Sequence, residues 1–177
     1  MFAFLKARPG LDQFHALLGT HGGRWYSACL RITGEAALAE DAVQDALLKA
    51  WHRRDEFRGD AELSTWIHRI ALNAAIDLMR ARRNIANDAH EADDEAAPAH
   101  VSPAARYETQ AFDRDLFGAM QSLTAMEREA FCLKHIEGWT LEEVARQQGA
   151  HVNNTKQALF RAVKKLRVQL AAWREAA

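Results

Sequence analysis

Along this chain, apolar residues recur three and four positions apart wherever there are enough of them to show a period. No segment sustains the period-two alternation with β-branched residues that a sheet requires. The pattern predicts helices throughout. Residues from about 10 to 32 form one helix, or two divided at Gly22 and Gly23, with Phe14, Leu17, Leu18, Trp25, Cys29 and Leu30 as core positions. After a turn at Thr33 and Gly34, a helix from about Ala36 to Arg53 places Val43, Leu47, Ala50 and Trp51 on one face. It leaves Glu40, Asp41, Gln44 and Asp45 on another, which gives an acidic exposed surface. Phe57, Arg58, Gly59 and Asp60 interrupt the period. A helix of about 20 residues follows, with Leu63, Trp66, Ile67, Ile70, Ala74 and Leu78 at helical spacing, and it ends at Arg80, Ala81, Arg82 and Arg83.

The second half of the chain begins near Ala111 with Phe112, Leu116, Met120 and Leu123 on one stripe. Two helix starts are then signalled by capping boxes, Thr124-x-x-Glu127 and Thr140-x-x-Glu143, and Gly138 and Gly149 are placed to end helices. The last helix is expected from about Asn153 to Trp173. A short helix of roughly eight residues, a turn at Gly149, Ala150 and His151, and a longer basic helix make the outline of a helix-turn-helix.

Charge divides the chain where the apolar period fails. Residues 84 to 111 carry Asp88, Glu91, Asp93, Asp94, Glu95 and Glu108 against the single base Arg106, with Pro98 and Pro103 and no run of large apolar residues. That composition reads as a flexible acidic linker. The organisation expected is therefore all-α, with a helical domain over 1–84, a linker over 85–110 and a second helical domain over 111–177. Net charge is only −1, but residues 151 to 174 hold six bases and no acid, which makes the last helix the candidate phosphate-contacting surface. No stretch approaches the roughly 18 uncharged apolar residues of a membrane span, and the first residues do not form a signal peptide. A cytoplasmic protein with no direct membrane insertion is expected.

The candidate chemistry is recognition. Ala145 and Gly149 suit the packing and turn of a helix-turn-helix, and Asn154, Thr155, Lys156 and Gln157 suit the start of a helix that enters the major groove. Lys156, Gln157, Phe160 and Arg161 are placed to reach base edges and flanking phosphates, with Lys164, Lys165 and Arg167 further along. The plain alternative is a basic amphipathic helix closing a bundle. Phe57, Arg58, Trp66, His68 and Arg69, with the Arg80 to Arg83 cluster, combine rings and cations in a manner that suits single-stranded DNA. Trp66, flanked by Ile67 and Ile70, reads as core rather than as a stacking surface. Cys29 and Cys132 read as buried free thiols. The histidines show no ligand spacing, and no phosphate loop, nucleophile elbow or zinc-hydrolase helix is present, so neither a metal, a cofactor nor catalysis is expected.

Taken together, Ala39 to Ala46, Phe57 to Asp60 and Ser64 to Asn73 resemble sigma region two of the extracytoplasmic-function family of RNA polymerase sigma factors. The helix-turn-helix resembles region four of the same family, itself part of the sigma-70 family. The resemblance implies a non-enzymatic sigma factor that binds core polymerase and directs promoter recognition. It implies that Asp41, Gln44, Asp45 and Lys49 meet the clamp helices of the largest polymerase subunit, and that region four meets the flap of the second largest. Phe57, Arg58, Gly59, Asp60, Leu63, Ser64 and Thr65 match the loop that captures a flipped base of the minus-ten element. The resemblance also assigns Arg69, Asn73, Arg80, Arg82 and Arg83, on the helix beneath that loop, to contact with minus-ten DNA. Asn154, Thr155, Lys156, Gln157, Phe160, Arg161 and Lys164 match positions that face the minus-thirty-five element.

The resemblance further implies an anti-sigma factor as partner, control of a stress or envelope-response regulon, and a linker threaded through polymerase channels. The chain departs from the family pattern in three places: Thr155 where a buried Val is usual, Asn153 and Asn154 in place of Gly-Thr, and Ala158 where Arg is frequent. A helix-turn-helix regulator that binds duplex DNA but not polymerase is the alternative, and it leaves the Phe57 to Asn73 pattern unexplained.

Overall fold

A computed structural model describes residues 8–89 and 111–171, and side chains within 8–85 and 114–171. The acidic stretch at 90–110, the first residues and Trp173 lie outside the described residues. All regular structure within them is helical. The first domain consists of α1 (Leu11–Thr33), α2 (Ala36–His52) and α3 (Leu63–Ala89), with a 3₁₀ turn at Arg54–Glu56. The second consists of α4 (Ala111–Met120), α5 (Ala125–Phe131), which continues as a π turn at Cys132–Ile136, α6 (Leu141–Gln148) and α7 (Val152–Gln169).

Helix α1 runs unbroken through Gly22 and Gly23, so the division allowed by the sequence does not occur. A helical glycine costs about 1 kcal/mol relative to alanine. Here the cost is offset by tertiary burial of Phe14, Trp25, Cys29 and Ile32 on the same helix. Leu18, expected in the core, is exposed. Helix α1 ends at Gly34, whose φ of 73° places it in the left-handed region and whose N–H bonds back to the Leu30 carbonyl.

Helix α2 packs through a stripe of small residues. Ala39, Ala42, Ala46 and Ala50 are fully buried against α1 and α3, while Val43, Leu47 and Trp51 are only half-buried. Alanines at that spacing let the helix backbones approach closely, and the larger side chains fill the flanks. Helix α3 buries Ile67, Ala71, Leu72, Ala74, Ala75, Ile76 and Met79 and is longer than the apolar period indicated, continuing past residue 84 to Ala89.

In the second domain both capping boxes form: Thr124 accepts from the N–H of Glu127 and Thr140 from that of Glu143, with each glutamate returning to its threonine N–H. Such caps stabilise a helix start by about 1 kcal/mol. Gly138 and Gly149 take positive φ at the helix ends, as their positions imply. Ala145 is buried between α6 and α7, completing the helix-turn-helix.

The two domains are docked. Helix α5 packs on α1 and α6 on α3. Along the seam, His68 Nε2 lies 2.7 Å from Glu137 Oε2, the Cys132 thiol meets the Arg31 carbonyl at 3.6 Å, and Arg80 donates to the Gln147 carbonyl. The guanidinium of Arg128, 9% exposed, fills the space beside Gly34 that a side chain there would need.

Candidate nucleic-acid and polymerase interface

Three surfaces carry the residues singled out in the sequence. On α2, Asp41 and Gln44 are exposed, Asp45 is half-buried, and Lys49 pairs with Asp45 at 2.7 Å. Leu48, which the sequence reading passed over, sits one turn from both Gln44 and Asp45 and is 61% exposed. Its signal was its spacing, since it falls on the polar face rather than the apolar one. Single exposed apolar side chains are common on protein surfaces, and what distinguishes Leu48 is its place among Asp41, Gln44, Asp45 and Lys49.

The second surface is the loop before α3 and the helix it opens. The Phe57 ring tilts against Trp66 with centroids 5.5 Å apart, so Trp66 is a half-buried support for the loop, as its apolar neighbours suggest. Gly59 has a φ of 69°, a turn that favours glycine. Arg58, Asp60 and Thr65 are exposed, while Leu63 and Ser64 are half-buried at the helix start. Beyond them Arg69 and Asn73 are exposed on one face of α3 at i, i+4 spacing.

The structure separates the remaining cations of this helix from that exposed row. Arg80 donates to Gln147 of α6, Arg82 pairs with Glu35 at the N-cap of α2, and Arg83 approaches the buried Glu129 of α5 at 3.6 Å. His68, grouped with the DNA-facing cations in the sequence, is 7% exposed and holds Glu137. Burial works to raise the Glu137 carboxyl, but the bond and charge of His68 outweigh it and hold Glu137 below the usual carboxylate range.

The third surface is α7. Thr155, Ala158, Ala162 and Leu166 form its buried stripe, and Asn154, Lys156, Gln157, Phe160, Lys164 and Arg167 are exposed. Phe160 is 72% exposed. Thr155 is therefore turned into the fold: its hydroxyl donates to Gln148 Oε1 at 3.0 Å, and Gln148 donates to the Met126 carbonyl at 3.0 Å. The threonine that departs from the family pattern gains a polar partner in its buried place. Ala158 is fully buried as well, so its departure is a matter of packing and not of a lost phosphate contact. Arg161, expected to face DNA, is instead bonded through Nε to Glu127 Oε1 at 3.1 Å, and Lys165 bonds Glu127 Oε2 at 2.7 Å. No His, Cys, Asp and Glu cluster that could hold a metal occurs among the described residues, and no described helix is long and apolar enough to cross a membrane.

Comparison with known proteins covers both domains. Residues 17–85 match sigma-70 region 2, and residues 114–166 match sigma-70 region 4. The chain is 31% identical to the RNA polymerase sigma factor CarQ of Myxococcus xanthus, over 88% of each protein. It is 32% identical to the ECF sigma factor SigL of Mycobacterium tuberculosis, over 88% of this chain and 87% of that one.

The chain belongs to the extracytoplasmic-function sigma factors of the sigma-70 family.

Among solved structures, this sigma factor superposes on RpoE of Bartonella quintana in complex with the anti-sigma factor NepR, with a TM-score of 0.58 and 26% identity, covering 91% of this chain and 98% of that one. Sigma factors of the family act in transcription initiation and bind core RNA polymerase and promoter DNA. In this sigma factor, region 2 is the α1–α3 domain and region 4 the α4–α7 domain.

Proposed function

We propose that the chain recruits core RNA polymerase through the exposed face of α2, opens the minus-ten element at the loop before α3, and reads the minus-thirty-five element with α7. Phe160 carries the reading. A phenylalanine exposed on the second helix of a helix-turn-helix, between Lys156 and Lys164, has no structural use in water, whereas it fits against base edges and thymine methyl groups in a major groove. Lys156, Gln157 and Lys164 flank it as base and phosphate contacts, with Asn154 at the helix start. On region 2, Phe57, Arg58, Gly59, Asp60, Leu63, Ser64 and Thr65 form the base-capturing loop, and Arg69 and Asn73 continue it along α3. Asp41, Gln44, Asp45 and Lys49 surround Leu48 in the face offered to the clamp helices, and region 4 meets the polymerase flap. The protein acts by binding and performs no chemistry of its own, in the cytoplasm, on the promoters of a stress or envelope-response regulon.

The docked arrangement is a resting state in this reading. Elements centred near minus ten and minus thirty-five are about 25 base pairs apart, or about 85 Å at 3.4 Å per base pair. Domains whose side chains meet within 3 Å cannot serve both elements together. Binding promoter requires the seam to part, which also releases Arg80 and Arg83 beside the minus-ten surface. An anti-sigma factor that spans both domains would hold the seam shut; the solved relative from Bartonella quintana is in complex with an anti-sigma factor, NepR.

The test is run-off transcription with purified core polymerase on a promoter library, followed by sequencing of the templates used. Protein-dependent transcripts sharing two spaced motifs are expected. Duplex binding without core binding or initiation would establish a stand-alone regulator in its place. Co-purification from native cells that repeatedly yields only polymerase would count against the anti-sigma partner.

A further inference from the structure

Helix α7 appears from sequence as a uniformly basic helix, but its cations are not equivalent in the fold. Lys156, Lys164 and Arg167 stand exposed on the outward side. Arg161 and Lys165, one turn apart, converge on a single carboxylate. Glu127 is 2% exposed, and its two oxygens accept from Arg161 Nε at 3.1 Å and from Lys165 Nζ at 2.7 Å, with the Thr124 N–H adding a third bond at 3.1 Å. Arg161 and Lys165 are themselves 53% and 41% exposed, at the flank of the DNA-facing row. They are near enough to the surface to contact phosphate were they not held.

We propose that Glu127 is a specificity-determining residue of region 4, which withholds Arg161 and Lys165 from sequence-independent phosphate contact. The inference rests on the reading of α7 as the recognition helix. Every unpaired cation on such a helix neutralises phosphate on any duplex and raises non-specific affinity as much as specific affinity. A carboxylate that neutralises two of them lowers binding to all sequences, while the contacts made by Gln157 and Phe160 to base edges are kept. Burial disfavours the ionised form of Glu127, but the bonds from Lys165, Thr124 and Arg161 outweigh it and hold the carboxyl below its usual range, so the charge persists at neutral pH. The capping box secures the position of the carboxylate, since Glu127 both closes the box at the start of α5 and restrains α7.

The experiment compares E127Q, R161Q and K156Q in the full chain. Binding to a duplex carrying the minus-thirty-five element and to a duplex of unrelated sequence is measured across a range of salt. Glutamine serves at the third position of a capping box, so E127Q retains that cap. E127Q is expected to bind the unrelated duplex more tightly and to steepen the slope of log K against log salt by about 0.9 for each cation released, up to about 1.8. Its ratio of specific to non-specific affinity falls. R161Q is expected to leave the slope at its wild-type value, and K156Q to make it shallower by about 0.9. A slope in E127Q that is unchanged or shallower, with specific and non-specific binding falling together, would mean that Glu127 only supports the fold or aims Arg161 at DNA, and would overturn the proposal. A shallower slope in R161Q would overturn it too. If K156Q binds both duplexes as the wild type does, it is the assignment of α7 that fails, whatever Glu127 does.

Discussion

His68 on α3 and Glu137 at the end of the π turn meet across the seam between regions 2 and 4, with Nε2 and Oε2 2.7 Å apart and both side chains largely shielded from water, at 9% and 13% exposure. The two residues are 69 positions apart in sequence, and the other imidazole nitrogen of His68 has no hydrogen-bond partner among the described residues. The docked state therefore depends on a polar contact that becomes costly if one side is removed.

The two thiols report that state. Cys132 is 2% exposed at the seam and Cys29 is fully buried inside region 2, bonded to the Ala71 carbonyl; burial pushes both thiols up to about 12. Replacing Glu137 with Ala is expected to speed the labelling of Cys132 by about tenfold to a hundredfold, the range of 1.5 to 3 kcal/mol for a hydrogen bond to a charged group. Cys29 should stay slow. Equal acceleration of both thiols would indicate loosening of region 2 itself rather than parting of the domains.

Gly34 and Arg128 form a second point of the seam that can be tested separately. A methyl group at position 34 meets the Arg128 guanidinium and also strains a backbone at φ 73°. A methyl group at Gly149, at φ 63°, meets nothing within 4 Å and carries only the strain. G149A is expected to lose roughly 1 kcal/mol of stability, and G34A to lose more and to expose Cys132 as well. Thermal melts with thiol labelling separate the two effects, and equal losses with Cys132 still protected in both would remove Arg128 from the seam.

Leu48 provides the test of the proposed polymerase-binding face. L48A should leave stability within about 0.5 kcal/mol, because a side chain already 61% exposed loses little burial. Binding to core polymerase, followed by fluorescence anisotropy, should weaken by about tenfold or more, the scale of an interface anchor. Unchanged affinity would place the clamp contact elsewhere on the chain.

Glu129 makes the fold sensitive to pH. It is 1% exposed with Arg83 at 3.6 Å, and burial pushes its carboxyl up to about 7 against the partial opposition of Arg83, Arg80 and Gln148. Between its ordinary value near 4.5 and 7, the folded chain holds a proton that the unfolded chain has released, so this group's contribution to stability falls as pH rises through that window and levels off above it. The span corresponds to roughly 3 kcal/mol at 1.36 kcal/mol per pH unit. E129Q is expected to flatten that dependence and to raise the melting temperature above pH 7. An unchanged profile would show that Glu129 is ionised and compensated in the folded state.

Much of the architecture could be read from residues close together in the chain. The helical periods, the two capping boxes, the glycines at 34, 138 and 149 and the outline of the helix-turn-helix each depend on side chains within a turn or two, where spacing alone settles geometry. Elsewhere packing prevails over local preference. Helix α1 passes through Gly22 and Gly23 because the core on either side holds it, and the alanine stripe of α2 was hidden because small side chains carry a weak hydrophobic signal.

The sequence by itself determined the family, the helices and the residue types proposed to meet polymerase and promoter. Which of those residues remain free to bind was decided only in three dimensions. Thr155 turns inward to Gln148, Arg161 and Lys165 are held by Glu127, and Arg80, Arg83 and His68 are taken up by region 4. Their partners lie from 7 to 69 positions away. A charge in a sequence shows what a side chain could contact, and only the packing of distant elements brings up the carboxylate or carbonyl that occupies it.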